Sequence, residues 1–361
     1  MKTQTPETDF IRPDVLEPKQ NWFNSWFPYL RWVPSSPTQL KEAEENLVNY
    51  IQTPSEGFYV YVGTVNGHDC NIWTRKFKGK SNNKKEPLVM MHGMGAGLAM
   101  FAMNIDNLCE DTDVYAIDLP GFGRSARPDF SSDPVEAEKQ YITCIEAWRQ
   151  NLNLGKINLL GHSFGGYLTA SYALTHPENL EKAILADPWG MKERPTDIVQ
   201  RYNIPIWVRA VFSVVKHFNP LAGFRISGPA GPGLVKRIRP DLMNKYKGLI
   251  EEEKLHVVSE YLFHCNAHKP SGESAFHSMM KEMAWARSPM LPRLKDRDHK
   301  VPLTVMFGAN SWITSIPQEE FQESSVENVE VHLISNAGHH IYADQHEQFN
   351  QILRNTLMKR K

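Results

Sequence analysis

The residues best suited to chemistry in this chain are Gly161-His162-Ser163-Phe164-Gly165, a G-x-S-x-G pattern. It follows the short apolar run 156–160 and precedes a helical stretch, 166–176. A serine on a sharp strand-to-helix turn exposes its hydroxyl as a nucleophile for acyl transfer. Its flanking residues must be glycine-small for neighbouring elements to pass close by. The same letters also describe a glycine-rich turn holding an incidental serine, so the partners decide. A base is expected late in the chain, and Asn336-Ala-Gly-His339-His340 lies between the last strand and the last helix. His339, beside Gly338, is the candidate base; His340 is its competitor, and packing is the simpler role for it. His92-Gly93-Met94-Gly95 follows the first buried strand. The backbone N–H groups of Met94 and Phe164 are the candidate oxyanion donors; alternatively, those glycines merely make a turn.

The acid is harder to place. The loop Gly308-Ala-Asn-Ser-Trp-Ile-Thr314, where an orienting carboxylate usually stands, has none before Glu319 and Glu320. Asp187, at the end of the strand after the nucleophile helix, can orient His339 or can cap the turn Pro188-Trp-Gly190. His339 and Asp344 also form H-x4-D, which in acyltransferases pairs a base with its acid. Asp344 can equally start the last helix, where the helix dipole favours a carboxylate.

These residues need a scaffold that brings several strand ends together. Apolar runs at 88–91, 114–118, 156–160, 183–187, 302–307 and 329–334 alternate with helical patterns, which predicts a mostly parallel α/β sheet. A hairpin over 58–65 and 70–76 turns at Asn66-Gly67. A helix spans 36–52 and the final one 345–358; the basic loop 76–85 reads as a solvated turn. Between 188 and 300 the alternation stops in a helical stretch rich in Pro, Trp and Met, which suits a cap over the site. Residues 1–20 read as a flexible arm, 21–34 as a separate aromatic segment, and 35–361 as one catalytic domain. The 361 residues, 41% of them hydrophobic, suffice for such a core. A net charge of −1 gives no field for nucleic acid. Cys70, Cys109, Cys144 and Cys265 lack metal or redox spacing, so no metal and no cofactor is expected. The N-terminus has no signal-peptide pattern and the chain no transmembrane run.

Beyond the elbow, Asp187-Pro-Trp-Gly190, Asn219-Pro-Leu-Ala-Gly223, Gly228-Pro-Ala-Gly-Pro-Gly233, Arg239-Pro-Asp241, His264-Cys-Asn266, Pro270-Ser-Gly-Glu-Ser-Ala-Phe276 and His339-His-Ile-Tyr-Ala-Asp344-Gln345 occur together. With them, residues 20–358 resemble the abhydrolase-domain-containing subfamily four/five, of α/β-hydrolase fold. One branch holds N-acyl-phospholipid hydrolases. The other holds the Chanarin–Dorfman lipolysis co-activator, which works with a patatin-type triacylglycerol lipase on lipid droplets and is also described as a lysophosphatidate acyltransferase. The departures are informative. The vertebrate co-activator branch has Asn at the nucleophile position, whereas this chain has Ser163. Both branches carry an acid where this chain has Thr314. The co-activator has a functional arginine at the place of Asn310 and a functional glycine at that of Gly338; only the glycine is kept.

The segment Asn21-Trp22-Phe-Asn-Ser-Trp26-Phe-Pro28-Tyr-Leu-Arg-Trp32 fits the same resemblance. Trp22, Trp26 and Trp32 suit a shallow anchor on a lipid-droplet surface, or aromatics that pack back on the domain. The resemblance implies a lipid-droplet and cytoplasmic protein of triacylglycerol and glycerophospholipid metabolism, promoting lipolysis with a partner lipase. It also implies acyl-ester hydrolysis or lysophosphatidate acylation of its own, with a lipid or acyl-CoA as substrate. A serine (lyso)phospholipase acting on N-acyl phospholipids and a non-enzymatic lipase adaptor are the alternatives. Dehalogenase and epoxide-hydrolase chemistry is disfavoured, because those enzymes place Asp at the nucleophile.

Overall fold

Short runs without a polar face form strands only where both sides are covered, and here helices cover them. The computed structural model describes residues 11–12, 35–81, 85–193, 221–281, 285–296, 301–313 and 326–359. Its strands are β1 (Ile11–Arg12), β2 (Ser55–Val65), β3 (His68–Phe77), β4 (Leu88–Met91), β5 (Val114–Ile117), β6 (Ile157–His162), β7 (Leu180–Ala186), β8 (Met280–Lys281), β9 (Trp285–Ala286), β10 (Leu303–Gly308) and β11 (Val329–Ile334). Among the described residues one sheet runs β1-β2-β3-β5-β4-β6-β7-β10-β11. It is antiparallel from β1 to β5 and parallel from β5 to β11. β4, β5, β6 and β10 are buried along their whole length. The β2–β3 hairpin turns on Asn66 (φ 47°) and Gly67 (φ 78°), two left-handed residues that match the twist of the strands they join.

Four helices flank the sheet: α1 (Pro37–Val48), α2 (Ala102–Leu108), α3 (Pro134–Asn151) and α4 (Phe164–Thr175). α1 begins where Ser36 caps the Gln39 N–H at 3.2 Å. α4 is buried from Phe164 to Ala173, so it is apolar all round rather than amphipathic. Against expectation, the last helix does not start at Gln345. A short helix, Ile341–Asp344, ends first, and His346–Met358 follows it. In the loop after β3, Lys78, Lys80 and Ser81 are exposed, while Gly79 N–H donates to Asp113 at 2.8 Å and Lys80 pairs with Glu110 at 2.5 Å.

Between β7 and β10 the described residues are mostly helical, including Gly231–Ile238, His256–Asn266 and Ser271–Met279. They are fastened to the sheet's helices and loops at buried polar points. The Tyr246 hydroxyl donates to Met100 O at 2.6 Å, and the Tyr261 hydroxyl accepts from Ala99 N–H at 3.2 Å. The Arg127 guanidinium donates to four carbonyls, those of Gly121, Gly123, Cys265 and Lys269, at 2.7 to 3.0 Å. Burial brings Arg127 down to about 10, still charged at neutral pH.

α3 and α4, which hold the elbow from one side, share a carboxylate. Glu146 on α3 accepts from Tyr172 on α4, from Arg149 at 2.7 and 2.9 Å and from Gln150 at 2.7 Å. Burial alone would raise its pKa, but these donors outweigh it and bring it from 4.5 to about 2. A carboxylate depressed on folding stabilises the protein above its unfolded pKa and loses that contribution as pH falls through the folded one. Glu146→Gln is expected to lower stability by about 1–2 kcal/mol at pH 7 after allowance for solvent screening. Denaturant unfolding should show the difference from wild type shrinking between pH 4.5 and pH 2.

Candidate active site

The elbow follows from crowding. A Cβ on Gly161 would stand 2.0 Å from the Gly165 carbonyl oxygen, and one on Gly165 2.6 Å from the His92 carbonyl oxygen. Both glycines are required by space, not by a left-handed φ. The strain falls on Ser163, with φ 53° and ψ −113°, where an L-residue persists only if its surroundings hold it. They do so through the backbone. Ser163 N–H donates to Ala186 O at 3.1 Å, and its carbonyl accepts from Tyr167 at 3.1 Å and Trp189 at 3.0 Å. The Ser163 side chain is thereby fixed at the C-terminal edge of the sheet.

The His92–Gly95 loop lies against this turn. A Cβ on Gly93 would stand 2.9 Å from Ser163 Cβ. His92 clamps the loop: its Nδ1 donates to Gly93 O at 2.7 Å and its Nε2 accepts from Leu119 N–H at 3.0 Å. That pattern needs a neutral ring, and burial lowers its pKa to about 4. Gly95 O in turn accepts from Asn266 at 2.7 Å. Met94 is carried by this clamped loop. Phe164 opens α4, where first-turn N–H groups have no intrahelical acceptor.

Asp187 follows β7 with φ 43° and is fully buried. Its carboxylate accepts from His339 Nδ1 at 2.6 Å, from Gly308 N–H at 3.0 Å and from the Ser311 hydroxyl. It is not spent on the turn after it, since the Trp189 N–H goes to the Ser163 carbonyl. His339 is the imidazole that reaches Asp187. His340 is packed away beside Tyr342 and His162, and burial with the neighbouring His339 lowers its pKa well below the usual imidazole value.

The H-x4-D pairing is not formed. Asp344 instead accepts from Gly338 N–H at 2.9 Å and pairs with Lys245. Nor does Asp344 cap the last helix, because it closes the short helix before it. It thus shapes the loop that presents His339. Asn310 and Gly338 are neighbours: Asn310 N–H donates to Ala337 O at 2.8 Å, and the Asn310 side chain is exposed. Trp22, Trp26, Trp32, Thr314, Glu319 and Glu320 lie outside the described residues.

Sequence reasoning did not single out three side chains here. Ser311 donates to Asp187, and its position in the loop after β10 was the available signal. Trp312, 72% exposed, stands edge-on to His339 at 5.5 Å between ring centroids; an aromatic in a polar loop was the hint. Lys245 had none, being 99 residues from Asp344.

Comparison with known proteins agrees with this architecture. Residues 86–345 match the α/β hydrolase fold family. The chain is 43% identical over 318 residues to the human 1-acylglycerol-3-phosphate O-acyltransferase ABHD5, covering 88% of this chain and 89% of that protein. It is 40% identical over 344 residues to the human (lyso)-N-acylphosphatidylethanolamine lipase, covering 94% and 97%. Among solved structures, a membrane phospholipase A described as a bacterial virulence factor superposes with a TM-score of 0.58 at 18% identity, over 93% of each chain. At that identity the likeness shows the fold alone. A mostly parallel sheet with a glycine-crowded serine elbow, matched along nearly its whole length by these relatives, places the chain in the α/β-hydrolase family, within the subfamily of the ABHD5 acyltransferases and the (lyso)-N-acylphosphatidylethanolamine lipases.

Proposed function

We propose that the protein breaks and remakes acyl-ester bonds of glycerolipids and glycerophospholipids. Ser163 is the nucleophile, His339 the general base, Asp187 the orienting acid, and the Met94 and Phe164 N–H groups the oxyanion donors. The observation that carries this reading is the 2.6 Å bond from His339 Nδ1 to a fully buried Asp187. With its proton committed there, Nδ1 leaves the Nε2 lone pair free to take the Ser163 proton. Attack on the ester carbonyl builds an oxyanion held by the two N–H groups. Its collapse expels the alcohol, which leaves with the proton from His339, and the acyl group stays on Ser163. Water then gives a free fatty acid; the hydroxyl of a lysophosphatidate gives acyl transfer. The names of the relatives support lipid esters as the substrate class.

A serine-directed fluorophosphonate is expected to label the wild type and not Ser163→Ala, which should lose ester turnover while unfolding at the same temperature. Asp187→Asn should cost about 10⁴ in kcat, with circular dichroism unchanged and Thr314→Asp restoring nothing. Folded wild type that is neither labelled nor active on lyso- and diacyl-phospholipids would overturn the enzymatic reading.

A second reading is supported by Gly338, the half of the co-activator pair that this chain keeps, and is weakened by Asn310, which stands where the co-activator has its arginine. In it the protein works at the lipid-droplet surface and stimulates a patatin-type triacylglycerol lipase, with that pair of loops as the contact. Such stimulation should be as strong with Ser163→Ala as with wild type in a reconstituted triolein assay. A requirement for Ser163, or no stimulation of the cognate lipase, removes this role.

Trp22, Trp26 and Trp32 are proposed to hold the protein on droplets. Among the described residues no helix is long and apolar enough to cross a membrane. Each indole withdrawn from water contributes at roughly 25 cal/mol per Å². Replacing all three by Ala should move the protein from droplets to cytosol in fractionated cells; unchanged droplet binding assigns the attachment to another surface.

A further inference from the structure

His162 fills the variable position before Ser163, yet it is only 2% exposed. Its Nε2 donates to the main-chain carbonyl of His339 at 2.8 Å. Its ring lies 4.6 Å from the His339 ring and 5.4 Å from that of His340, with Tyr342 edge-on at 4.9 Å. Among the described residues its Nδ1 has no hydrogen-bond partner. That nitrogen faces Gly93, where a Cβ would stand 2.9 Å away. One imidazole therefore touches the nucleophile turn, the base loop and the oxyanion loop.

The protonation state follows from these partners. A carbonyl acceptor puts the hydrogen on Nε2. A proton on Nδ1 would point at Gly93 with no acceptor, and it would add a charge among His339, His340 and His92. Burial and those neighbours push His162 well below the usual imidazole value. His340 and His92 are lowered by burial too. The other groups facing this cluster are Tyr342, Asp187 beyond His339, and, beyond His340, the Lys245–Asp344 pair with Arg239 and Asp241. The His339 ring thus sits against the His162 ring and its Nδ1 against the Asp187 carboxylate.

We propose that His162 is a positioning residue for the ester chemistry: by holding the His339 carbonyl while leaving Gly93 its space, it fixes base and oxyanion loop relative to Ser163. This rests on reading Ser163, His339 and Asp187 as an acyl-transfer site. A side chain that only filled volume would leave the His339 carbonyl without this donor and its loop free to shift. A misplacement of that kind costs turnover more than binding.

The test uses the full chain with His162→Phe, which keeps the ring, and the near-equal-length pair His162→Gln and His162→Met, with and without an N–H. Turnover is measured on a soluble p-nitrophenyl ester across pH, and the downfield proton between His339 Nδ1 and Asp187 is followed by NMR. His162→Phe should lose roughly 10²-fold in kcat with KM little changed. Its pH–kcat profile should change and the downfield proton should broaden. His162→Gln should recover most of each effect and His162→Met none; that pair decides the matter if the Phe variant does not fold. Wild-type kcat, pH profile and proton resonance in His162→Phe or His162→Met would overturn the proposal, as would a loss that Gln fails to restore. If wild type turns over no ester, the acyl-transfer reading fails, and the resonance in wild type against the variants still decides the role of His162.

Discussion

The active edge depends on one buried carboxylate. Asp187 has no exposed surface, and an ionised group in such a place is tolerable only when its lone pairs are taken. Its donors come from three separate sources: the end of β10, the hydroxyl of the loop after it, and the imidazole of the loop after β11. Satisfying that charge draws the ends of β7, β10 and β11 into one register. The backbone of Ser163 is joined to the same edge through Ala186 and Trp189. The geometry around Ser163 and His339 is in this sense a consequence of making a buried carboxylate bearable.

The chain departs at one position from the pattern that both branches of the family it resembles share. It has a serine in a fully formed elbow and lacks a carboxylate at the position filled by Thr314. Asp187 reaches His339 from the end of β7. Ser311 is the adjustment that accompanies this route, since its hydroxyl donates to the same Asp187 oxygen as His339 does. Asn310, next in sequence, faces outward. The loop after β10 thus serves the buried carboxylate with one residue and presents another to solvent.

Much of this was legible in the sequence because it depends on local pattern. The strand before Ser163, the glycines around it and the order of Ser163 and His339 follow from periodicity and spacing. The helix over 345–358 was placed within a residue of His346–Met358. Side-chain direction was not legible. Whether Asp187 turned toward His339 or toward its own turn depended on donors more than 120 residues away. The same limit applied to Asp344, whose partner Lys245 belongs to a helical region with no periodic link to it. The short helix at 341–344 was missed because four residues are too few for a period to register.

The Arg127 contacts have a mechanical consequence. Its guanidinium bridges the 121–123 turn to the end of helix His256–Asn266 through four carbonyls, with no carboxylate among them. Parting those two segments would break four donations from one guanidinium at once, each worth on the order of 1.5–3 kcal/mol for a charged donor. This junction therefore acts as a rivet and not as a hinge. Any breathing that admits a long acyl chain must pivot about it, leaving the foot of that helix at rest while other parts of the molecule travel.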